Sequence, residues 1–345
     1  MGGLKVFLDD FGMFLGRKRN RFAIKKGEEK IEVPVEEVEA IICTSQGVAV
    51  SASALRLAVE HGIQVVFARY GGWPYAIVMP IAMTGSVRAR REQFQAYNDE
   101  RGCRLAKSFV VGKVSNQASL LKLMAKNRRD ADPALAEALY RAGRMVDELA
   151  RRIQMEADAI VDDRRQAIMN LEAEAARIYW DAVKRILPGE LRFQGRETRG
   201  AKDPFNAMLN FGYQVTLFPE VWKAVSYAGL DPYAGYLHAD RPGKPSLVLD
   251  LMEEFRQQVV DRTLLALISK RMVKPKEIIE ESRGERRIAR DMARKLLEAL
   301  EERLDGKAMF QGKRSTLRGF IQLQARNVAR LLLNQAEYKP FILGW

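Results

Sequence analysis

The sequence is poor in the side chains that build disulfide frameworks and zinc sites. Its 345 residues include two cysteines and two histidines. Cys43 and Cys103 are too few for a disulfide framework, and no Cys/His cluster has the spacing of a zinc site. We expect both thiols to be small core groups in a reducing cytoplasm. His61 precedes Gly62 at the end of a predicted helix, where its ring meets the helix dipole favourably, so we expect a structural role.

Long apolar runs are also absent. The most apolar region, residues 63–83, is interrupted by Arg69, two glycines and two prolines. It is therefore far from the 20 consecutive apolar residues of a membrane span. The first ten residues are strand-like and carry an acidic pair, unlike a signal peptide. We expect a protein with no membrane association.

Positive charge is abundant and unevenly distributed. The chain has 57 Lys and Arg residues against 44 Asp and Glu residues, a net charge of +13. Residues 1–85 have 10 basic and 9 acidic side chains, so residues 86–345 carry nearly all of the excess. This excess favours a polyanionic partner, above all nucleic acid. A solvated basic surface, or the ion-pair load of a thermophilic protein, would also produce it.

The spacing of apolar residues divides the chain into two parts. Residues 4–80 contain short strand-like runs, among them a hairpin of 13–15 and 21–24, and a single helical segment, 51–61. The later spacing has a period of 3.6, which predicts helices over 109–124, 133–160, 162–187, 206–223, 245–270, 275–303 and 317–333. The predicted fold class is α+β, a small β-rich domain of residues 1–85 followed by a large all-α domain of residues 86–345.

An acidic side chain lies on the apolar face of one predicted helix. On a helical wheel Glu172 shares its face with Ile168, Ala175 and Tyr179, whereas Glu174 points to the other side. A buried carboxylate is costly unless it is paired or binds a metal. A buried ion pair with an arginine of a neighbouring helix and a metal or catalytic role both remain open for Glu172.

The second histidine, His238, lies in a Gly/Pro-rich loop before an amphipathic segment. Such a histidine is more often structural than a ligand, but Asp250 and Glu253 follow it, three residues apart on one helical face. Glu254 falls near that face, and periodicity does not choose between it and Glu253. One imidazole with two or three carboxylates suits Mn²⁺ or Mg²⁺, and such an ion would polarise a phosphodiester.

Several strings, in order, resemble those of the CRISPR-associated integrase family, the metal-dependent DNA endonuclease/integrase of spacer acquisition. They occur at residues 34–41, 51–55, 62–67, 106–117, 171–180, 203–213, 235–238 and 249–256, with the single residues Arg91 and Gln95 before 106–117. The most specific single string is 203–213. Ala173 departs from the family, which commonly has glycine after its first glutamate, but alanine is harmless in a helix.

The resemblance implies roles for particular residues. The implied catalytic residues, which are also the implied metal ligands, are Glu172, His238 and Glu253. Asp250 matches a nearby acidic position that assists, so the resemblance favours Glu253 over Glu254. Asn206 and Tyr213 match polar positions near the site. The implied cofactor is Mg²⁺ or Mn²⁺.

The family also implies a reaction and partners. The 3′-hydroxyl of a short duplex attacks a phosphodiester at the leader–repeat junction of a CRISPR array, and water as the attacking group gives nuclease activity. The expected partners are double-stranded and branched DNA, a second copy in a homodimer formed mainly through the N-terminal domain, and a small ferredoxin-like adaptation protein. Basic stretches expected to hold phosphates, or to be solvated helix faces, are 184–185, 192–202, 270–276 and 283–294.

Two other functions remain open at this point. A related integrase of a mobile element would share the fold and serve transposition. A non-enzymatic DNA-binding scaffold would use Glu172, His238 and Glu253 only to stabilise helix packing. The scaffold predicts DNA binding that responds to salt and is indifferent to EDTA.

Overall fold

The computed structural model describes residues 4–69, 74–80, 87–198, 200–282 and 285–344, the side chains of 281–282 and 285–287 excepted. The chain forms two compact units. One comprises Met1–Met83 with Glu281–Arg287, and the other comprises Thr84–Glu280 with Ile288–Trp345. The predicted domain boundary, between residues 85 and 86, lies outside the described residues. No described helix is long and apolar enough to cross a membrane.

The first unit is rich in strands. Its elements are β1 (Leu4–Leu8), β2 (Phe14–Lys18), β3 (Arg21–Lys26), β4 (Glu29–Pro34), β5 (Val38–Cys43), β6 (Ala49–Val50), α1 (Ala52–Glu60), β7 (Gln64–Ala68) and β8 (Pro74–Val78). One sheet has the order β1-β5-β7-β8, with β8 antiparallel to β7 and the other pairs parallel. A second sheet has the order β4-β3-β2-β6. The antiparallel pair of β2 and β3 confirms the predicted hairpin.

The core of the first unit follows from its apolar runs. Strand β5 is buried at five of its six positions, as expected for a strand with a parallel neighbour on each side. Leu8, Leu15 and Phe22 are fully buried in the same core. His61 caps α1, and its Nδ1 donates a hydrogen bond to the carbonyl of Leu57 at 3.0 Å, which confirms the structural role expected for it.

The second unit is mainly helical. Its helices are α2 (Val87–Gln95), α3 (Glu100–Lys126), α4 (Pro133–Met155), α5 (Val161–Lys184), α6 (Pro204–Phe211), α7 (Phe218–Tyr227), α8 (Ser246–Met252), α9 (Arg262–Ser269), α10 (Arg290–Asp305) and α11 (Leu317–Leu332). The 27-residue α3 packs against both α4 and α5 and carries the largest set of buried side chains. Asp99 starts α3 by accepting a hydrogen bond from the backbone N–H of Arg101. The α+β class is confirmed.

Short strands interrupt the helical pattern. Strand β9 (Ile279–Ser282) pairs with β10 (Glu285–Ile288), and β11 (Lys307–Phe310) pairs with β12 (Lys313–Thr316). The prediction of helix over 275–303 is therefore wrong before Arg290. Residues 280–287 contain only charged residues, serine and glycine, so no apolar spacing distinguishes a strand from a helix there.

Two helices predicted as continuous are divided. The segment 206–223 contains a π-helical stretch, Gly212–Leu217, between α6 and α7. The segment 245–270 is broken after α8 by a turn at residues 253–255, and a second π-helical stretch, Gln257–Asp261, follows. Each irregular turn changes the direction of the side chains that come after it.

Candidate active site

Two of the predicted site residues meet at a lysine. Glu172, on α5, and Glu253, in the turn after α8, approach Lys113 of α3. The Lys113 Nζ lies 2.5 Å from Glu172 Oε1 and 2.7 Å from Glu253 Oε2. The sequence left open an ion pair for Glu172 with an arginine of a neighbouring helix, and the structure shows an ion pair with a lysine. Glu174 is exposed, as its place on the helical wheel predicts.

Positive charge surrounds Glu253. Its side chain is 5% exposed; Lys113 Nζ lies 2.7 Å from Oε2, and Arg256 Nε lies 3.2 Å from Oε1. Burial by itself would raise the pKa of this carboxyl, but Arg256, Lys113 and His238 outweigh burial and hold the pKa at about 2. Glu253 is therefore a carboxylate over the whole physiological pH range.

His238 is fixed by the acidic residue predicted to assist. Its Nδ1 lies 2.7 Å from Asp250 Oδ1, and its backbone N–H donates to the same oxygen at 3.0 Å. Asp250 Oδ2 accepts the backbone N–H groups of Tyr236 at 2.7 Å and Leu237 at 2.9 Å. An oxygen already accepting a backbone N–H favours a proton on Nδ1, which leaves the Nε2 lone pair for a ligand.

Helix α8 ends between two residues expected on one helical face. Asp250 lies within α8 and binds the loop that carries His238, whereas Glu253 lies in the following turn and contacts Lys113 and Arg256. Helix α8 ends at Met252, and Glu253 keeps helical backbone angles as its C-cap. Asp250 orients the histidine, and the same histidine helps to lower the pKa of Glu253, so both carboxyl groups lie near His238.

Glu254, the alternative to Glu253, faces a different environment. It is fully buried and accepts hydrogen bonds from Gln324 Nε2 at 3.0 Å, Tyr338 OH at 2.9 Å and the backbone N–H of Phe341 at 3.0 Å. Burial raises its pKa to about 8 against the opposing effect of these three donors. Asn116 Nδ2 binds the Glu254 carbonyl at 2.9 Å and so ties the turn to α3.

Aromatic and cationic groups continue from the Glu253 side. The guanidinium of Arg256 lies 4.7 Å from the ring centre of Tyr213, and that of Arg196 lies 5.4 Å from it. The Tyr213 hydroxyl donates to Asp261, which also accepts the Tyr179 hydroxyl at 2.7 Å. Burial raises the pKa of Asp261 to about 6, although the tyrosine hydroxyls and the arginines oppose the rise. Tyr213 thus connects to the site through Arg256.

Asn206 has a more local role. Its side chain accepts a hydrogen bond from Arg196 Nη1 at 3.0 Å and donates to Asp203 Oδ2 at 2.7 Å at the start of α6. The described side chains give it no hydrogen bond to Glu172, His238 or Glu253. It supports Arg196, and Arg196 lies over Tyr213.

The basic stretches are only partly represented in the site. Of residues 192–202, Arg196 reaches it, whereas Arg192 is exposed on the surface. Lys184 of the stretch 184–185 binds Gln194 Oε1 at 2.7 Å. In the stretch 283–294, residues 283 and 284 lie outside the described residues, and nothing is described of the side chains of 285–287.

The donor set suits a hard divalent ion. Two carboxylate oxygens already converge on one positive charge, and the imidazole beside them has its Nδ1 engaged with Asp250. Carboxylates with an imidazole and no thiolate match Mn²⁺ or Mg²⁺. In the described part of the chain no three acidic, histidine or cysteine side chains yet stand close enough together to enclose an ion. Lys113 holds the position at which the two carboxylates meet.

Sequence reasoning passed over Lys113 and Arg256. Both lie within strings that resemble the family, but no role was assigned to them. Arg256 follows Glu253 by three residues, a spacing at which opposite charges interact on a helix, so this pair was accessible to sequence reasoning. Lys113 lies 59 residues before Glu172 and carried no local signal.

Known proteins resemble the chain in sequence and in fold. Residues 6–302 match the family described as CRISPR associated protein Cas1. A CRISPR-associated endonuclease Cas1 of Archaeoglobus fulgidus is 37% identical over 351 residues, covering 99% of this chain and 100% of the relative. A casposase bound to integration product has a TM-score of 0.83 at 23% identity, over 97% of this chain and 92% of that chain. A Cas6-RT-Cas1–Cas2 complex has a TM-score of 0.77 at 20% identity, over 99% of this chain and 36% of that chain. The two structural likenesses show the shared fold.

Proposed function

The chain belongs to the Cas1 family of CRISPR-associated proteins, and from that premise we propose that it is a DNA endonuclease and integrase that inserts short DNA segments into a CRISPR array. A DNA 3′-hydroxyl attacks a phosphodiester of the array. A new P–O bond to the attacking oxygen forms as the P–O bond to the departing oxygen breaks. The attacking hydroxyl loses its proton, and the departing oxygen gains one. Water as the attacking group gives hydrolysis by the same displacement.

The observation that carries the proposal is the convergence of two carboxylates on one cation. Glu172 Oε1 and Glu253 Oε2 both lie within 2.7 Å of Lys113 Nζ. A scaffold that used Glu172, His238 and Glu253 only to stabilise helix packing gains little from two carboxylates at one point, because each buried charge costs several kcal/mol of solvation. The arrangement suits a site built to hold positive charge against a phosphate.

Metal dependence is the finer part of the proposal. Glu172, Glu253 and Nε2 of His238 would hold Mg²⁺ or Mn²⁺, which when bound supplies a positive centre for the attacking oxygen and the phosphate charge. Asp250 keeps the imidazole in one tautomer and one orientation. Arg256 steadies Glu253 through Oε1.

DNA and protein partners complete the proposal. The net charge of +13 favours a polyanion, and we propose double-stranded and branched DNA. A homodimer and a small ferredoxin-like adaptation protein would complete the assembly, in line with the Cas1–Cas2 complex whose chain shares the fold. Cys43 and Cys103 are buried free thiols, as expected of a protein that works in the reducing cytoplasm.

A strand-transfer assay tests the function. Labelled duplexes with free 3′-hydroxyl ends are mixed with a plasmid that carries a leader and repeat, with and without the small partner, in Mn²⁺, Mg²⁺ or EDTA. We expect metal-dependent joining, reduced by at least about 100-fold in Glu172→Gln, because loss of a ligand exceeds the 10- to 100-fold loss typical of a supporting residue.

The control is Glu174→Gln, an exposed carboxylate on the same helix, which should join DNA at the parental rate. Joining without preference for the leader–repeat junction would favour the integrase of a mobile element. DNA binding that survives EDTA with no cleavage or joining in any metal would leave only the scaffold.

A further inference from the structure

Lys113 occupies the point at which the two proposed carboxylate ligands meet. Its ammonium nitrogen lies 2.5 Å from Glu172 Oε1 and 2.7 Å from Glu253 Oε2. The other oxygen of Glu253, Oε1, lies 3.2 Å from Arg256 Nε. The side chain of Lys113 is 16% exposed, so the ion pair is shielded from water. The lysine therefore acts as the counter-ion of the site.

A divalent ion and this ammonium group cannot share the position. Mg²⁺ binds carboxylate oxygens at about 2.0–2.1 Å. An ion held by the same two oxygens would lie within a few ångströms of Nζ, where two positive charges repel strongly in a shielded environment. Either the ion stays out or the ammonium group moves.

The lysine is the cation suited to move. Its charge is compact and sits on a flexible four-carbon stem, so bond rotations can withdraw it while α3 stays in place. Arg256 lies next to Glu253 Oε1 and over the ring of Tyr213. It can remain there when an ion binds. Lys113 and Arg256 together balance the charges of Glu172 and Glu253, so the carboxylates are compensated before any metal arrives.

We propose that Lys113 is an internal counter-ion that holds Glu172 and Glu253 together in the metal-free protein and is displaced when a divalent ion binds. This inference rests on the proposed metal site. A metal ion must compete with the Lys113 ammonium group, which is part of the chain and is always present at the site. Lys113 therefore weakens metal binding. In exchange, the two ligands are kept paired and compensated while no metal is bound.

Metal titration of a lysine variant tests the proposal. Mn²⁺ is titrated by calorimetry into the full-length wild type and into Lys113→Met, which keeps the apolar stem and removes the charge. We expect Lys113→Met to bind Mn²⁺ at least tenfold more tightly. The matched control is Lys122→Met, which removes another lysine of α3, 14% exposed and paired with Asp147, and should bind Mn²⁺ like the wild type.

The outcomes separate this inference from the proposed function. If the wild type binds Mn²⁺ and Lys113→Met binds it equally or more weakly, the counter-ion role is wrong and the metal site stands. If neither protein binds Mn²⁺, and EDTA leaves strand joining unchanged, the metal site itself is wrong and the counter-ion role fails with it.

A measurement on the wild type avoids dependence on the folding of the variant. Lysine acetylation is followed by mass spectrometry with and without saturating Mn²⁺. Displacement predicts that Lys113 is labelled at least threefold faster when metal is bound, whereas Lys122 is labelled at an unchanged rate. Unchanged labelling of Lys113 at saturating Mn²⁺ would overturn the proposal.

Discussion

Glu253 and Glu254 are adjacent buried carboxyl groups on one turn, and they lie in opposite surroundings. Glu253 faces the cations Lys113 and Arg256. Glu254 faces three neutral donors, from Gln324, Tyr338 and the backbone of Phe341. Burial raises the pKa of both groups, but the cations reverse the effect at Glu253, so its pKa is about 2 and that of Glu254 is about 8.

The difference shows that the neighbouring groups set the charge and the role of chemically identical side chains. Near pH 7 Glu253 is a carboxylate and Glu254 is largely a neutral acid. A group that must attract a positive ion needs its charge, and surrounding cations keep it charged. A group that must join two segments can be neutral, and hydrogen bonds are then sufficient. The turn therefore has one side suited to chemistry and another suited to packing.

Conversion of each carboxyl to an amide tests this comparison most severely. Glu253→Gln should lower DNA cleavage by more than about 100-fold, because it removes a proposed metal ligand and leaves Lys113 and Arg256 without their shared carboxylate. Glu254→Gln resembles the protonated acid and should retain cleavage within a few-fold. Rates are measured in Mn²⁺ with equal amounts of folded protein. A folded Glu254→Gln that is as inactive as Glu253→Gln would break the comparison.

The charged side of the turn also depends on how His238 is held. Asp250→Asn removes the charged acceptor of Nδ1 and of three backbone N–H groups. We expect a 10- to 100-fold loss in Mn²⁺ affinity and in cleavage, the range typical of residues that support a ligand. Asp240→Asn, an exposed aspartate of the same loop, is the control and should change neither quantity. If Asp250→Asn bound Mn²⁺ as tightly as the wild type, Asp250 would not be needed to orient His238.

Close packing supports the neutral side. A Cβ atom at Gly112 would lie 2.8 Å from Glu254 Cγ and 3.3 Å from Pro340 Cβ. Gly112→Ala should therefore lower the free energy of unfolding by about 1–3 kcal/mol, as overpacking of cores does. Urea denaturation measures the loss. The double variant Gly112→Ala/Glu254→Ala should lose less than the sum of the single variants, and simple additivity would contradict the contact.

A further expected effect is on the pH dependence of stability. The pKa of Glu254 is raised from 4.5 to about 8, so the folded protein binds the extra proton between these pH values. The stability that Glu254 contributes is complete below pH 4.5 and is lost as the pH rises towards 8. Urea denaturation in EDTA at pH 5 and 8.5 should show a smaller loss in Glu254→Gln than in the wild type. Equal losses would mean that Glu254 is not protonated in the folded protein.

Glu253 should show the mirror image of this behaviour. Its pKa is lowered from 4.5 to about 2, so its stabilising contribution is present above pH 4.5 and is lost as the pH falls towards 2. Urea denaturation of the wild type and of Glu253→Gln at acidic pH measures this loss.

Much of the fold was accessible from the sequence. The β2–β3 hairpin, α1 and the long helices were predicted because apolar spacing of 2 or 3.6 is imposed by burial of one face of each element. The pairing of β9 with β10 was missed because the charged sequence of residues 280–287 has no apolar spacing. The divided helices were missed because a π-helical stretch changes direction without changing composition.

The candidate site was accessible in part. The inward face of Glu172 followed from its helix, and the pairing of Asp250 with the histidine loop is compatible with the assisting role implied for it. The metal-binding roles of Glu172, His238 and Glu253 stay predictions. Lys113 was missed because it reaches the site from a helix far away in the sequence.

By itself the sequence determined the order of the two regions, the excess of positive charge and the residue types available for the site. Tertiary structure alone decided that Glu172 meets Glu253 across Lys113, and that Glu254 turns to Tyr338 instead. The physical reason is that periodicity reports which face of an element is buried. It contains no information about what lies opposite that face, and the partner opposite sets the charge and the role of a buried carboxyl group.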